Sequence, residues 1–282
     1  MESLEDYLFK ETAIVIHHGG EARKLSHLTK QKFPKGMLEL GTKPRPLFDW
    51  VLAKYVDIGI KKFYITLWFN PKAVKKRCKE IEKYAGIKFI FIEEPKNKRL
   101  GRGGSIRFGI ENRIIKEKNI LSANGSDIIN YDIKEFAQFH YSGLEKGYCA
   151  TILGSPYDQS KGGRIFCNEH NVVTRFEEKP IIRLRSGEFL NTAVFYLDKN
   201  ALKYLFEVNT FPFDLESREF MSQLEKSGEM RCYSPKNEIK LGENWIWVKD
   251  GKDYDTWKNL DLERFLGIKN IEELLGPYSS KN

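Results

Sequence analysis

The stretch Ala13–Pro46, AIVIHHGGEARKLSHLTKQKFPKGMLELGTKPRP, joins a short apolar run to a Gly-Gly turn and then to Pro34-Lys35. Ala13-Ile14-Val15-Ile16 is unbroken by polar residues, which suits a strand covered on both faces, as in a parallel sheet flanked by helices. Gly19-Gly20 then ends the strand. Glycines at such a place let the backbone turn through positive φ and approach a ligand, leaving amide N–H groups for phosphate oxygens. Arg23, Lys24 and Lys35 add positive charge to the same segment. A Gly-Gly turn after a strand is equally at home in any α/β domain. The Pro34-Lys35 pair downstream turns the reading toward phosphate handling.

Beyond this segment, apolar strand-like runs alternate with helical patterns. Strands are expected near Ala13–Ile16, Phe63–Leu67, Lys88–Ile92, Ile120–Ala123, Cys149–Leu153 and Leu190–Leu197, with helices such as Pro46–Asp57 and Lys134–Ser142 between them. Lys72, Lys75, Lys76, Arg77 and Lys79, interleaved with Glu80 and Glu82, read as the solvated face of a further helix after Asn70-Pro71. In such a fold ligands sit at the carboxyl ends of the strands, where Gly19-Gly20, Asn124-Gly125 and the region after Lys249 fall.

A chain of 282 residues with 41% hydrophobic content buries a substantial core without needing a second domain. It has no apolar run long enough to span a bilayer, and its acidic start, Met1-Glu2-Ser3-Leu4-Glu5-Asp6, is unlike a secretory signal, so a cytoplasmic protein is expected. Cys78, Cys149, Cys167 and Cys232 lack any paired metal spacing and read as buried or incidental thiols. The net charge of +8 suits anionic partners, nucleotides and sugar phosphates among them, without by itself excluding nucleic acid. His17-His18 reads as a structural pair before it reads as ligands. The Gly-x-Gly-x-x-Gly pattern of dinucleotide-dependent oxidoreductases is absent after the first strand.

Seven segments in order resemble the sugar-1-phosphate nucleotidyltransferases. Gly19-Gly20-Glu21-Ala22-Arg23-Lys24-Leu25 stands for Gly-Gly-x-Gly-Thr-Arg-Leu, and Pro34-Lys35-Gly36-Met37-Leu38 for Pro-Lys-x-Leu-Leu. Leu100-Gly101-Arg102-Gly103-Gly104-Ser105-Ile106 resembles the Leu-Gly-Thr-Gly-Gly-Ala-Ile loop near the base, in a form closer to the mannose- or heptose-type guanylyltransferases than to the thymidylyl ones. Asn124-Gly125-Ser126-Asp127, Phe176-Glu177-Glu178-Lys179-Pro180, Leu190-Asn191-Thr192-Ala193-Val194-Phe195 and Phe213-Asp214-Leu215-Glu216 continue the series. The resemblance covers residues 12 to 265 and implies one nucleotidyltransferase-like domain over residues 1–282 with a C-terminal helical tail. It implies a Rossmann-like, doubly wound α/β fold with a mixed, mostly parallel sheet.

The resemblance also implies the roles. Lys24 and Lys35 would act at the phosphates as the catalytic cations, while Gly19, Gly20, Arg23, Gly101 and Gly103 would hold the nucleotide. Gly163, Glu178, Lys179 and Asn191 would hold the sugar phosphate. The partners would be a nucleoside triphosphate and a sugar 1-phosphate, not a membrane and not nucleic acid, and a homo-oligomer stays open. Magnesium is the family's cofactor, and here the motifs depart from the pattern. In register, Ser126 stands at the first metal-binding aspartate, with Asp127 one place late; Lys249 stands at the second, with Asp250 one place late. Either a turn re-aims Asp127 and Asp250, or the Lys249 ammonium replaces part of the metal's charge. At the triphosphate, lysine replaces the motif arginine, keeping charge and losing the planar fork. A working transferase and a degraded homologue that only binds nucleotide both remain open.

Overall fold

The computed structural model describes residues 3–157, 162–178 and 187–279. Lys179 lies outside the described residues. Helix α1 (Leu4–Phe9) leads into strand β1 (Thr12–His18), whose seven residues are all buried. The short helix α2 (Ser26–Thr29), a ribbon of β2 (Glu39–Leu40) with β3 (Arg45–Pro46), and helix α3 (Leu47–Asp57) follow. Strand β4 (Lys62–Leu67), helix α4 (Lys72–Ala85) and strand β5 (Lys88–Glu93) form a βαβ unit with β4 and β5 parallel. Next come helix α5 (Gly101–Glu111), strands β6 (Asn119–Asn124) and β7 (Asp127–Ile129), and helix α6 (Ile133–Leu144). Strands β8 (Ala150–Ser155), β9 (Arg164–Cys167), β10 (Val173–Glu177) and β11 (Glu188–Leu197) precede helices α7 (Lys199–Phe206) and α8 (Arg218–Ser227). Strands β12 (Met230–Tyr233) and β13 (Trp245–Trp247) and helices α9 (Gly251–Trp257), α10 (Leu262–Leu266) and α11 (Ile271–Leu275) complete the chain. The expected strands and helices are all present, with ends shifted by one or two residues (Cys149 precedes β8 and Pro46 precedes α3), and the α/β class with a mixed sheet is as expected.

Two compact units interleave along the sequence. The first comprises Met1–Val15, Asn97–Ala123 and Tyr131–Lys240; the second comprises Ile16–Lys96, Asn124–Asn130 and Leu241–Asn282. In the first unit β11 is the hub, antiparallel to β6, β8 and β9, and β8 takes β12 as a parallel neighbour. The ladder of β11 on β8 is interrupted between Asn191 and Phe195, and Ala193 there has φ +64°.

In the second unit, α3 buries nine of its eleven residues. Helix α4 shows the narrower stripe of a surface helix, burying Val74, Arg77, Cys78 and Ile81 at three- and four-residue spacing before Gly86 ends it at φ +62°. Arg77 thus departs from the solvated face expected of it. It is only 3% exposed and donates three hydrogen bonds of 2.7 to 3.1 Å to Asp49, which is fully buried on α3. A carboxylate taken out of water needs such a partner. Arg45 also reaches Asp49 and donates to the Gly276 carbonyl at 2.8 Å, while the Tyr278 ring lies against both guanidinium groups. The C-terminal tail is therefore tied to the buried charge of α3. No helix among the described residues is long and apolar enough to cross a membrane.

Candidate active site

The motif residues gather in two clusters, one in each unit. In the second unit, β1 ends at His18 and the Gly19-Gly20 turn follows. Neither glycine adopts positive φ; the left-handed residue of the turn is Ala22, at φ +52° and ψ +40°. The turn therefore works differently from the expectation, because the residue in the motif's third glycine place carries the strained conformation. A methyl group on Gly20 would meet nothing within 4 Å, so the space beside it is open. Arg23 and Lys24 are exposed, and Arg23 donates to Glu21 at 2.6 Å.

Lys35 starts a 3-10 turn after Pro34, and its ammonium donates to Asp127 Oδ1 at 3.3 Å. The two side chains are 19% and 10% exposed. Asn124 and Ser126 also donate to the Asp127 carboxylate, at 2.8 and 3.4 Å. Gly125 and Ser126 form a turn between β6 and β7, so Asp127 begins a new strand and the face alternation of β6 does not govern it. Asp250 is placed otherwise. It caps α9, its Oδ1 accepting from the backbone N–H groups of Lys252 and Asp253 at 3.0 and 3.1 Å. Lys249 lays its ammonium on Trp247, 2.9 Å from the ring centre, and Trp247 pairs in register with Asp127. Among the described residues, no three His, Cys, Asp or Glu side chains are grouped to hold a metal ion. These donors do not fit a magnesium held by two carboxylates: one carboxylate is an ion pair and the other is a helix cap.

His18 lies beneath this cluster. Its ring is 3% exposed, meets Phe48 edge-on at 4.6 Å, and leaves Nε2 buried without a hydrogen-bond partner. A methyl group on Gly36 would come within 2.1 Å of the ring, and one on Gly125 within 2.5 Å. The imidazole thus fills the room left by glycines adjoining Lys35 and the Asp127 turn. Burial pushes its pKa down to about 3, so it is neutral at physiological pH. The sequence reading left this histidine open; its signal was a bulky residue at a motif place that is normally apolar or small.

In the first unit, Asn191 donates its backbone N–H to the Gly163 carbonyl at 2.8 Å. A methyl group on Gly163 would come within 2.5 Å of the Phe176 ring and 3.2 Å of Glu178 Oε2, so this glycine is fixed by packing beside Glu178. The Asn191 side chain donates to Glu216 at 3.1 Å and accepts from Ala193 N–H at 2.7 Å. The other oxygen of Glu216 accepts from Arg102, which also bonds Asp214. Gly101, at φ +77°, and Gly103 pack on Phe213, where added methyl groups would come within 2.4 Å of its carbonyl oxygen and 2.3 Å of its ring. Those glycines serve contact between α5 and the Phe213-Asp214 segment. Gly163, Glu178 and Asn191 are thus brought together, and Arg102 and Glu216 join them. No role was read for Arg102 in the sequence, where the visible signal was an arginine at the Thr place of the Leu-Gly-Thr-Gly-Gly-Ala-Ile loop.

A profile of the family described as Nucleotidyl transferase matches residues 13–254. The chain belongs to this family. Among curated proteins it is 28% identical over 187 residues to Bifunctional protein GlmU of Thermoanaerobacter pseudethanolicus, covering 64% of this chain and 38% of that protein. It is 25% identical over 179 residues to Glucose-1-phosphate adenylyltransferase of Geobacter metallireducens, covering 60% of this chain and 43% of that one. The match spans well under two thirds of either relative. Among solved structures, HddC from Yersinia pseudotuberculosis superposes with a TM-score of 0.67 at 20% identity, over 90% of this chain and 99% of that one. This likeness bears on the fold alone. It agrees with the nucleotide-diphospho-sugar transferase architecture expected for a nucleotidyl transferase.

Proposed function

We propose that this nucleotidyl transferase joins a nucleoside triphosphate to a sugar 1-phosphate, making a nucleoside-diphosphate sugar and releasing pyrophosphate. A phosphate oxygen of the sugar 1-phosphate attacks the α-phosphorus in line, and the bond from that phosphorus to the bridging β oxygen breaks. Such chemistry asks the protein for positioning and for positive charge near the developing oxyanions, with no nucleophilic side chain. The observation that carries this reading is Lys35, held on Asp127 at 3.3 Å in a chain whose family match runs over residues 13–254. Lys24 and Lys35 act at the phosphates, with Gly19, Gly20, Arg23, Gly101 and Gly103 around the nucleotide. Gly163, Glu178, Lys179 and Asn191 take the sugar phosphate. A relative named for glucose 1-phosphate supports the sugar 1-phosphate class without fixing the sugar. Dissolved nucleotide substrates fit the cytoplasm.

The capping role of Asp250 and the lysine beside it favour a second reading, a homologue that binds nucleotide or nucleotide sugar as a regulatory or assembly subunit. Pyrophosphate release, measured with each nucleoside triphosphate against a panel of hexose and heptose 1-phosphates, separates the two. Sugar-dependent release is expected. Nucleotide binding without release across the panel would favour the second reading.

A further inference from the structure

We infer that Arg102 is a positioning residue for the sugar end of the site: through Glu216 it aims the Asn191 amide at the sugar 1-phosphate. The inference rests on the sugar-phosphate-binding part of the proposed function. All three residues belong to the first unit. The segment that carries Glu216 is laced to the start of α5. The Phe213 N–H donates to the Leu100 carbonyl at 2.9 Å, the Gly104 N–H donates to the Phe213 carbonyl at 3.3 Å, and Asp214 Oδ1 accepts the Arg102 N–H at 2.9 Å. Helix α5 has no side-chain cap at Leu100, so a carboxylate from a distant segment satisfies this first-turn donor. The same contact brings the Arg102 guanidinium to both acids, its Nε to Asp214 and its Nη2 to Glu216 Oε2.

The Glu216 side chain is 10% exposed, and its other oxygen accepts from Asn191. A carboxylate so far out of water is held by charged and polar partners, and the guanidinium is the stronger of these two. The Asn191 amide is in turn fixed on two sides. Its Oδ1 accepts from the Ala193 N–H at 2.7 Å, and one Nδ2 hydrogen goes to Glu216 Oε1 at 3.1 Å. The amide is planar and carries two N–H donors, so fixing its oxygen and one N–H sets the direction of the other. That second N–H is the donor offered to a sugar hydroxyl. Without the guanidinium, Glu216 turns toward water and the amide loses the partner that orients it.

The test is calorimetric binding of nucleoside triphosphates and of a panel of hexose and heptose 1-phosphates to the full chain, with circular dichroism to check the folding of each variant. Arg102→Met keeps the aliphatic stem and removes the guanidinium; it is expected to lower sugar 1-phosphate affinity by about tenfold, with triphosphate affinity within about twofold of wild type. Glu216→Gln offers one acceptor oxygen where two are needed and is expected to give the same selective loss. In an Asn191→Ala background, Arg102→Met is expected to change sugar 1-phosphate affinity by less than about twofold, because it acts through that amide. Equal losses for triphosphate and sugar 1-phosphate, or a loss that persists undiminished without the Asn191 amide, would overturn the inference. So would unchanged sugar 1-phosphate affinity in both single variants. The selective loss in a chain that releases no pyrophosphate would uphold the inference and overturn the transferase reading. Absence of binding by every sugar 1-phosphate in the panel would overturn both.

Discussion

Two alanines hold conformations that glycine adopts freely. Ala22 and Ala193 lie at φ +52° and φ +64°, and in the related motifs, Gly-Gly-x-Gly-Thr-Arg-Leu and Asn-Thr-Gly-Val-Tyr, glycine stands at both places. The left-handed region costs an L-residue about 1–2 kcal/mol, partly offset because alanine is also the stiffer residue in the unfolded chain. Ala22→Gly and Ala193→Gly are each expected to raise stability by about 0.5–1 kcal/mol in urea titrations. Loss of stability in both variants would show that the methyl groups contribute packing that outweighs the strain. The opposite constraint acts at Gly36 and Gly125, where the His18 ring occupies the space a side chain needs. Gly36→Ala is expected to destabilise by about 1–3 kcal/mol through overpacking. His18→Ala should recover much of that in the double variant, since it empties the same space. Additive losses in a double-mutant cycle would exclude the contact.

Elements decide which acidic residues are available for chemistry. The Gly125-Ser126 turn starts β7 anew and directs Asp127 onto Lys35, whereas α9 begins at Gly251, two residues after Lys249, and takes Asp250 as its cap. Asp250→Ala is accordingly expected to cost about 1 kcal/mol of stability, the usual value of an N-cap, with no change in the magnesium response of triphosphate binding. A lost magnesium response with stability intact would return Asp250 to the role of metal ligand. At α5 and β11, the chain Arg102, Glu216, Asn191 joins separate elements of the first unit through side-chain hydrogen bonds. The resemblance implied a sugar-phosphate role for Asn191. It gave no sign that both oxygens of Glu216 would be engaged, because those bonds join residues distant in sequence and depend on how α5 lies against the Phe213-Asp214 segment.

Over the whole molecule, two buried histidines make stability fall on acidification. His18 and His140 are 3% and 1% exposed, and burial holds each pKa at about 3. His140 shares a hydrogen bond of 2.8 Å with Thr151 and stacks on Tyr196. With folded-state pKa values below the unfolded value of 6.5, the unfolded chain binds more protons, so stability rises with pH between about 3 and 6.5. Each histidine is expected to remove up to about 1.4 kcal/mol per pH unit on acidification through that window. Urea midpoints at pH 7 and pH 5 test this. A flat profile would mean that the rings become solvated before they protonate.

The sequence by itself determined the α/β class, the expected strands and helices, and the order of phosphate and sugar motifs. Apolar runs and glycine turns are local signals, and their spacing survives folding. It also determined that Ser126 and Lys249 occupy places where the related motifs carry aspartate, because that follows from counting residues. Tertiary structure alone decided what Asp127 and Asp250 do, where Arg77 points and why Gly36, Gly103 and Gly125 are glycines. Each of those depends on a partner brought close in space: Lys35 for Asp127, the first turn of α9 for Asp250, Asp49 for Arg77, Phe213 for Gly103 and the His18 ring for the other two glycines. Alternation and propensity report how one segment meets water. They carry no information about which distant side chain will take a carboxylate's charge or fill the space over a glycine.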